Sequence, residues 1–135
     1  MYRLAPIHEH YPGIKILVED RYAEVTLDVD RRYFHAGESS HGAIYFKLLD
    51  DACYFACQSI ETQNFLVTTN LNVNLLRPIF KEKIIAKGKV DFISANLFTA
   101  SAELFNEKGK LCGTAQASFM RSKGTMEDVE MYTRN

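Results

Sequence analysis

Two adjacent acids, Asp50 and Asp51, interrupt the most apolar stretch of the chain, and their neighbours give them different characters. Asp51 follows Lys47 by one helical turn, so an ordinary i,i+4 ion pair accounts for it. Asp50 has Phe46 four residues before it and Tyr54 four residues after it. A carboxylate among aromatics on a buried surface is costly unless it finds a partner or keeps its proton to higher pH. Residue type alone leaves two readings of Asp50 open: a structural acceptor for a neighbouring strand, or a functional carboxylate. Upstream, Gly42 stands where a helix begins. The first N–H groups of a helix lack internal partners, and the helix dipole adds positive potential there. A glycine leaves such an N–H open to close approach, although it also simply allows tight packing. His8 and His10, flanking Glu9, are weak metal ligands without a second cluster at suitable spacing, and they read as part of a solvated terminus. No metal site is expected.

These residues need a helix and a sheet to hold them. From Ser39-Ser40 to about Ile60 the chain reads as one buried helix, with Gly37 supplying a turn and the serine pair an N-cap. Ile44, Phe46, Leu48, Leu49, Ala52, Phe55 and Ala56 leave it no broad polar face, as in a core helix. It is too short and too charged to span a bilayer. Before it, Ile14–Val18 and Tyr22–Val29 read as two short strands, and Asp30–Glu38 as a loop carrying His35. After it the period changes to two. Phe65, Val67, Thr69, Leu71, Val73 and Leu75 form one face of a strand; Leu66, Thr68, Asn70, Asn72 and Asn74 form the other, mostly polar face. Pro78 ends that strand. Ile84–Phe92, Phe98–Leu104 and Leu111–Phe119 alternate likewise, with a hairpin turn at Asn106–Gly109. Four long strands after one apolar helix predict an α+β domain, an antiparallel sheet wrapped on the helix, with Gly88 and Gly113 easing its curvature.

The whole chain bounds the partners. At 135 residues it forms a single domain, residues 1–135, with an N-terminal arm over residues 1–13 and a loose polar tail over residues 122–135. A net charge of −1 gives no field to draw nucleic acid or an anionic membrane. No apolar leader opens the sequence and no run is long enough to cross a membrane. Cys53 and Cys57 sit on successive helical turns and Cys112 in a strand pattern, an arrangement that suits buried thiols in a reducing, cytoplasmic compartment.

The run His41-Gly42-Ala43, then six residues, then Asp50 resembles the His-Gly-Gly…Asp signature of the hotdog-fold acyl-CoA thioesterases of the phenylacetate-pathway type. Thr68 to Pro78, ending Leu76-Arg77-Pro78, is similar to the long strand closing in Arg-Pro in that group, and the likeness spans residues 14–121. Ala43 stands in place of the motif's second glycine. The resemblance implies a hotdog fold, with a long central helix wrapped by a curved antiparallel sheet. It implies hydrolysis of an acyl-CoA thioester, with Asp50 as nucleophile or general base and the Gly42 N–H as oxyanion donor. It also implies that Thr68 orients the attacking water, against the alternative of an ordinary strand residue. His35 falls where relatives carry an Asn that binds the thioester carbonyl; a solvent-facing loop histidine is the other reading. His41 holds the loop in this scheme. Arg77, Lys81 and Lys83, with Lys87 and Lys89, could meet the phosphates of coenzyme A, or be ordinary solvated hairpin charges. The acyl pocket is expected along Tyr45, Leu49 and Tyr54. No cofactor is implied beyond the substrate itself.

Asp50 lies eight residues beyond Gly42 (50 − 42 = 8). At 1.5 Å per residue that is ~12 Å along one helix. One carbonyl cannot touch both, so donor and carboxylate acting on one thioester must come from two copies of the chain. The expectation is a homodimer, paired again as a dimer of dimers. Two other functions fit the same fold: a non-catalytic acyl-CoA-binding protein, and a dehydratase or hydratase in which His41 and Asp50 form an acid–base pair.

Overall fold

The computed structural model describes residues 2–125. Two 3-10 turns, Tyr2–Leu4 and Pro6–His10, lead into strands β1 (Lys15–Glu19) and β2 (Tyr22–Asp28). A third 3-10 turn, Arg31–Tyr33, precedes helix α1 (Gly42–Gln58). Strands β3 (Asn64–Leu75), β4 (Lys83–Ile93), β5 (Leu97–Phe105) and β6 (Leu111–Thr125) follow. All six strands form one antiparallel sheet in the order β1-β2-β4-β5-β6-β3. This is the hotdog architecture, one long helix held by one sheet.

The sheet floor under α1 is built from small residues. Ala86, Ala100, Ala102, Ala115 and Ala117 are all buried, as are Ala52, Cys53, Ala56 and Cys57 on the helix. Short side chains on both surfaces let helix and sheet approach closely, while Leu48, Leu49, Phe98, Leu104 and Phe119 fill the flanks. Gly88 marks the closest approach. A Cβ there would stand 2.4 Å from the Ala52 carbonyl oxygen. Its absence makes room for the helix backbone, a different role from the easing of curvature expected of it. The three cysteines are buried free thiols.

Strand β3 departs from the sequence pattern. Its register with β6 slips between Thr68 and Asn70: Thr68 pairs with Phe119, and Asn70 already pairs with Ser118. One extra residue, Thr69, makes this a β-bulge, which exchanges the two faces. Before the bulge the even residues face the helix, so Leu66 is buried and Val67 is 46% exposed. After it Leu71 and Val73 pack on the core instead. A single alternation along the strand therefore assigned Leu66 and Thr68 to the wrong face. Beside it, β6 runs to Thr125, so residues 122–125 of the expected loose tail are strand. The rest of that tail lies outside the described residues.

The arm is docked. Tyr2 is buried, and the His8 side chain is only 8% exposed against α1, not part of a solvated terminus.

Candidate functional site

The start of α1 is fixed by its own first residues. His41 is the N-cap: its Nδ1 accepts from the Ala43 N–H at 2.9 Å. The serine pair expected to cap the helix lies one and two residues too early, and Ser40 instead donates its backbone N–H to the Ile79 carbonyl at 2.7 Å. The Gly42 N–H has no acceptor among the described residues. Gly42 lines a cleft of about 360 Å³ together with His35, Ser39, Tyr45, Leu75, Arg77 and Pro78 among others. The Tyr45 hydroxyl donates to the Arg77 carbonyl at 2.6 Å, which ties the end of β3 to the helix start.

His35 belongs to this cleft, but its ring is occupied. Its Nδ1 accepts from the Gly37 N–H at 2.9 Å and its Nε2 lies 3.0 Å from the Ser39 hydroxyl. The accepting Nδ1 leaves the proton on Nε2, so the imidazole braces the loop before α1. A Cβ at Gly37 would meet the ring at 2.8 Å, so any larger residue there has to displace the imidazole. Arg77 spends one guanidinium nitrogen on the Leu111 carbonyl at 2.8 Å. Lys83 stands apart from Arg77: it pairs with Asp28 of the neighbouring β2 and lines a small separate hollow with Lys15 and Asp28. Lys87 and Lys89 project from the exposed face of β4, and Lys81 lies exposed before it. The structure therefore brings only Arg77 of this basic group to the cleft.

Asp50 sits two turns further along α1, half-buried. The Thr68 hydroxyl lies 3.3 Å from its Oδ1. The β3 bulge makes this contact possible, because it turns Thr68 toward the helix. Burial and then the neighbouring Asp51 charge raise the Asp50 pKa above its ordinary value; Thr68 and Lys47 act in the opposite sense. Asp50 has no ion pair among the described residues.

Asp51 is paired with Lys47 at 2.7 Å, as its spacing implied. The pair is not a surface contact: the two side chains are 13% and 12% exposed, and Tyr2 donates its hydroxyl to Asp51 at 2.7 Å. Tyr2 and His8 were not legible as site neighbours, because nothing in the sequence links positions 2 and 8 to 47 and 51. His41 and Asp50 are not brought together. Nine helical residues separate them, ~13 Å of rise, so they form no acid–base pair within a chain. Tyr45 reaches the Gly42 cleft, whereas Leu49 is fully buried in the core.

The family model described as Thioesterase superfamily matches residues 38–113. No curated protein matches the chain. Among solved structures, the chain is similar to the PaaI protein of the phenylacetic acid degradation operon of Escherichia coli, at 25% identity and a TM-score of 0.84, covering 93% of this chain and 90% of that one. It is similar to the conserved protein PA5202 of Pseudomonas aeruginosa at 22% identity and a TM-score of 0.81, covering 88% and 95%. It also resembles thioesterase HI1161 of Haemophilus influenzae, at 22% identity and a TM-score of 0.80, covering 90% and 85%.

Proposed function

The chain belongs to the thioesterase superfamily, and from that premise we propose that it hydrolyses acyl-CoA thioesters as a homodimer whose sites combine Gly42 of one copy with Asp50 of the other. The observation that carries this reading is the division of labour along α1. A free backbone N–H at one end and, in the middle, a half-buried carboxylate without an ion-pair partner among the described residues are the two groups thioester hydrolysis needs, and ~12 Å of helix keeps them from sharing one carbonyl.

In this scheme the Gly42 N–H donates to the thioester oxygen as negative charge develops there. Asp50 takes a proton from a water, and the hydroxide oxygen bonds to the carbonyl carbon. The Thr68 hydroxyl beside Asp50 orients that water. The tetrahedral intermediate collapses, the C–S bond breaks, and the thiolate takes the proton from Asp50. Free acid and thiol leave.

The sheet supports the second copy. Strand β3 is twelve residues long and lies at the sheet edge, with Val67 and Leu75 exposed. A long, uncovered edge is a template for another strand. Pairing two such edges about a two-fold axis yields two equivalent sites. Arg77, at the cleft with most of its donors free, suits a phosphate of the coenzyme.

Thiol release from a panel of acyl-CoAs tests the activity, with hydration of an enoyl-CoA run in parallel. Hydrolysis lost in Asp50→Asn is the expected result. Hydration without thiol release, or binding without turnover of any thioester, would contradict it.

A further inference from the structure

Lys47 stands three residues before Asp50 and four before Asp51, so its ammonium can reach either carboxylate on α1. It lies on Asp51. The N-terminal arm holds it there. His8 Nε2 is 2.9 Å from Lys47 Nζ. The Tyr2 and Tyr11 rings flank the ammonium, with centroids at 5.6 and 5.8 Å. The Tyr2 hydroxyl donates to the same Asp51 oxygen that Lys47 meets. An ammonium only donates, so His8 Nε2 must accept, and the imidazole proton sits on Nδ1, bonded to the Tyr2 carbonyl. His8 is thus a neutral imidazole in one tautomer; burial and the Lys47 charge both hold its pKa below the ordinary value.

We propose that the arm, through His8 and Tyr2, holds the Lys47 ammonium on Asp51 and so keeps it off Asp50, leaving Asp50 the unpaired carboxylate that hydrolysis requires. This rests on the reading of Asp50 as the base. With the arm in place, Asp50 faces the Asp51 carboxylate and Cys53 on its own helix and the Thr68 hydroxyl from β3, and Asp91 of β4 acts on the cysteines behind it. Lys47, the cation that acts on Asp50 among the described residues, makes its ion pair with Asp51 instead. His8 and Tyr2 are positioning residues: they act on Asp50 only through where Lys47 points.

The test titrates Asp50 directly, by carbon-13 carboxyl NMR of the full chain, beside the pH profile of kcat/KM. His8→Phe keeps a ring but removes the acceptor. Lys47 then turns to Asp50, whose titration falls by about one pH unit or more, as an opposite charge at that range imposes. The acid limb of kcat/KM moves down with it. His8→Gln offers Lys47 a carbonyl and the Tyr2 carbonyl an N–H, and restores the wild-type titration. In a Lys47→Met background, His8→Phe no longer moves Asp50. A folded His8→Phe variant with an unchanged Asp50 titration overturns the proposal. A measurement without substitution guards against loss of the fold: nitrogen-15 spectra of the wild type must show His8 protonated at Nδ1, and the opposite tautomer overturns the proposal too. If the carboxyl titration moves and the kcat/KM limb does not, the arm has its role and Asp50 is not the base.

Discussion

Replacing Asp50 by Asn removes a charge that burial and Asp51 both disfavour. The folded chain holds that proton to higher pH than the ordinary value of 3.8, so the stability tied to this group is full below 3.8 and is lost as pH rises through the folded-state pKa. Asp50→Asn is therefore expected to melt higher than wild type at pH 7 and to show little difference below pH 3.8, as thermal melts at the two pH values would check. The same change should cut thioester turnover by about 10²–10⁴-fold, the usual worth of a positioned base. Asp51→Asn is expected to behave in the opposite way. It strips a largely buried Lys47, still held by His8, of its counter-charge and costs about 3 kcal/mol in urea unfolding, while reducing turnover far less than Asp50→Asn does.

At the scale of the element, the helix and the strand sequence were readable because each is written in local periodicity: an all-round apolar run for α1, alternation for β4, β5 and β6. The bulge at Thr69 was not, because it is set by register against β6, about fifty residues away. The consequence reaches the site. Strict alternation places Thr68 with Asn70, Asn72 and Asn74 on the outer face, where it could not touch Asp50, whereas in the structure its hydroxyl lies 3.3 Å from the Asp50 carboxylate. The extra residue reconciles the two. Deleting Thr69 should restore one alternation and turn either the Leu66–Thr68 segment or the Leu71–Val73 segment outward; loss of the Leu66 burial alone costs about 2 kcal/mol, measurable by denaturant midpoint. Gly88 gives a second check on how closely helix and sheet meet. Gly88→Ala puts a methyl against the Ala52 backbone carbonyl, which cannot yield as a side chain end can, and should destabilise by about 3 kcal/mol. The docking of the arm escaped the sequence for a similar reason, since Tyr2, His8, Lys47 and Asp51 meet only in three dimensions.

At the scale of the molecule, the spacing of Gly42 and Asp50 on one unbroken helix makes a second copy necessary to the proposed chemistry, and the uncovered edge of β3 offers the surface to bind it. The most direct test mixes two inactive variants. Gly42→Pro removes the free N–H in the first helical turn, where proline is tolerated, and the Cβ it adds meets the end of the Leu75 side chain at 3.2 Å. Asp50→Asn removes the base. Each is expected to be nearly inactive alone, while Gly42→Ala, which keeps the N–H, stays active. Dissociated and reassembled together at random, about half the dimers are mixed, and each mixed dimer has one site with both lesions and one with neither. Independent sites then return roughly a quarter of wild-type activity. If a mass tag shows that mixed dimers have formed and activity remains at the level of the parents, the two-copy site is wrong.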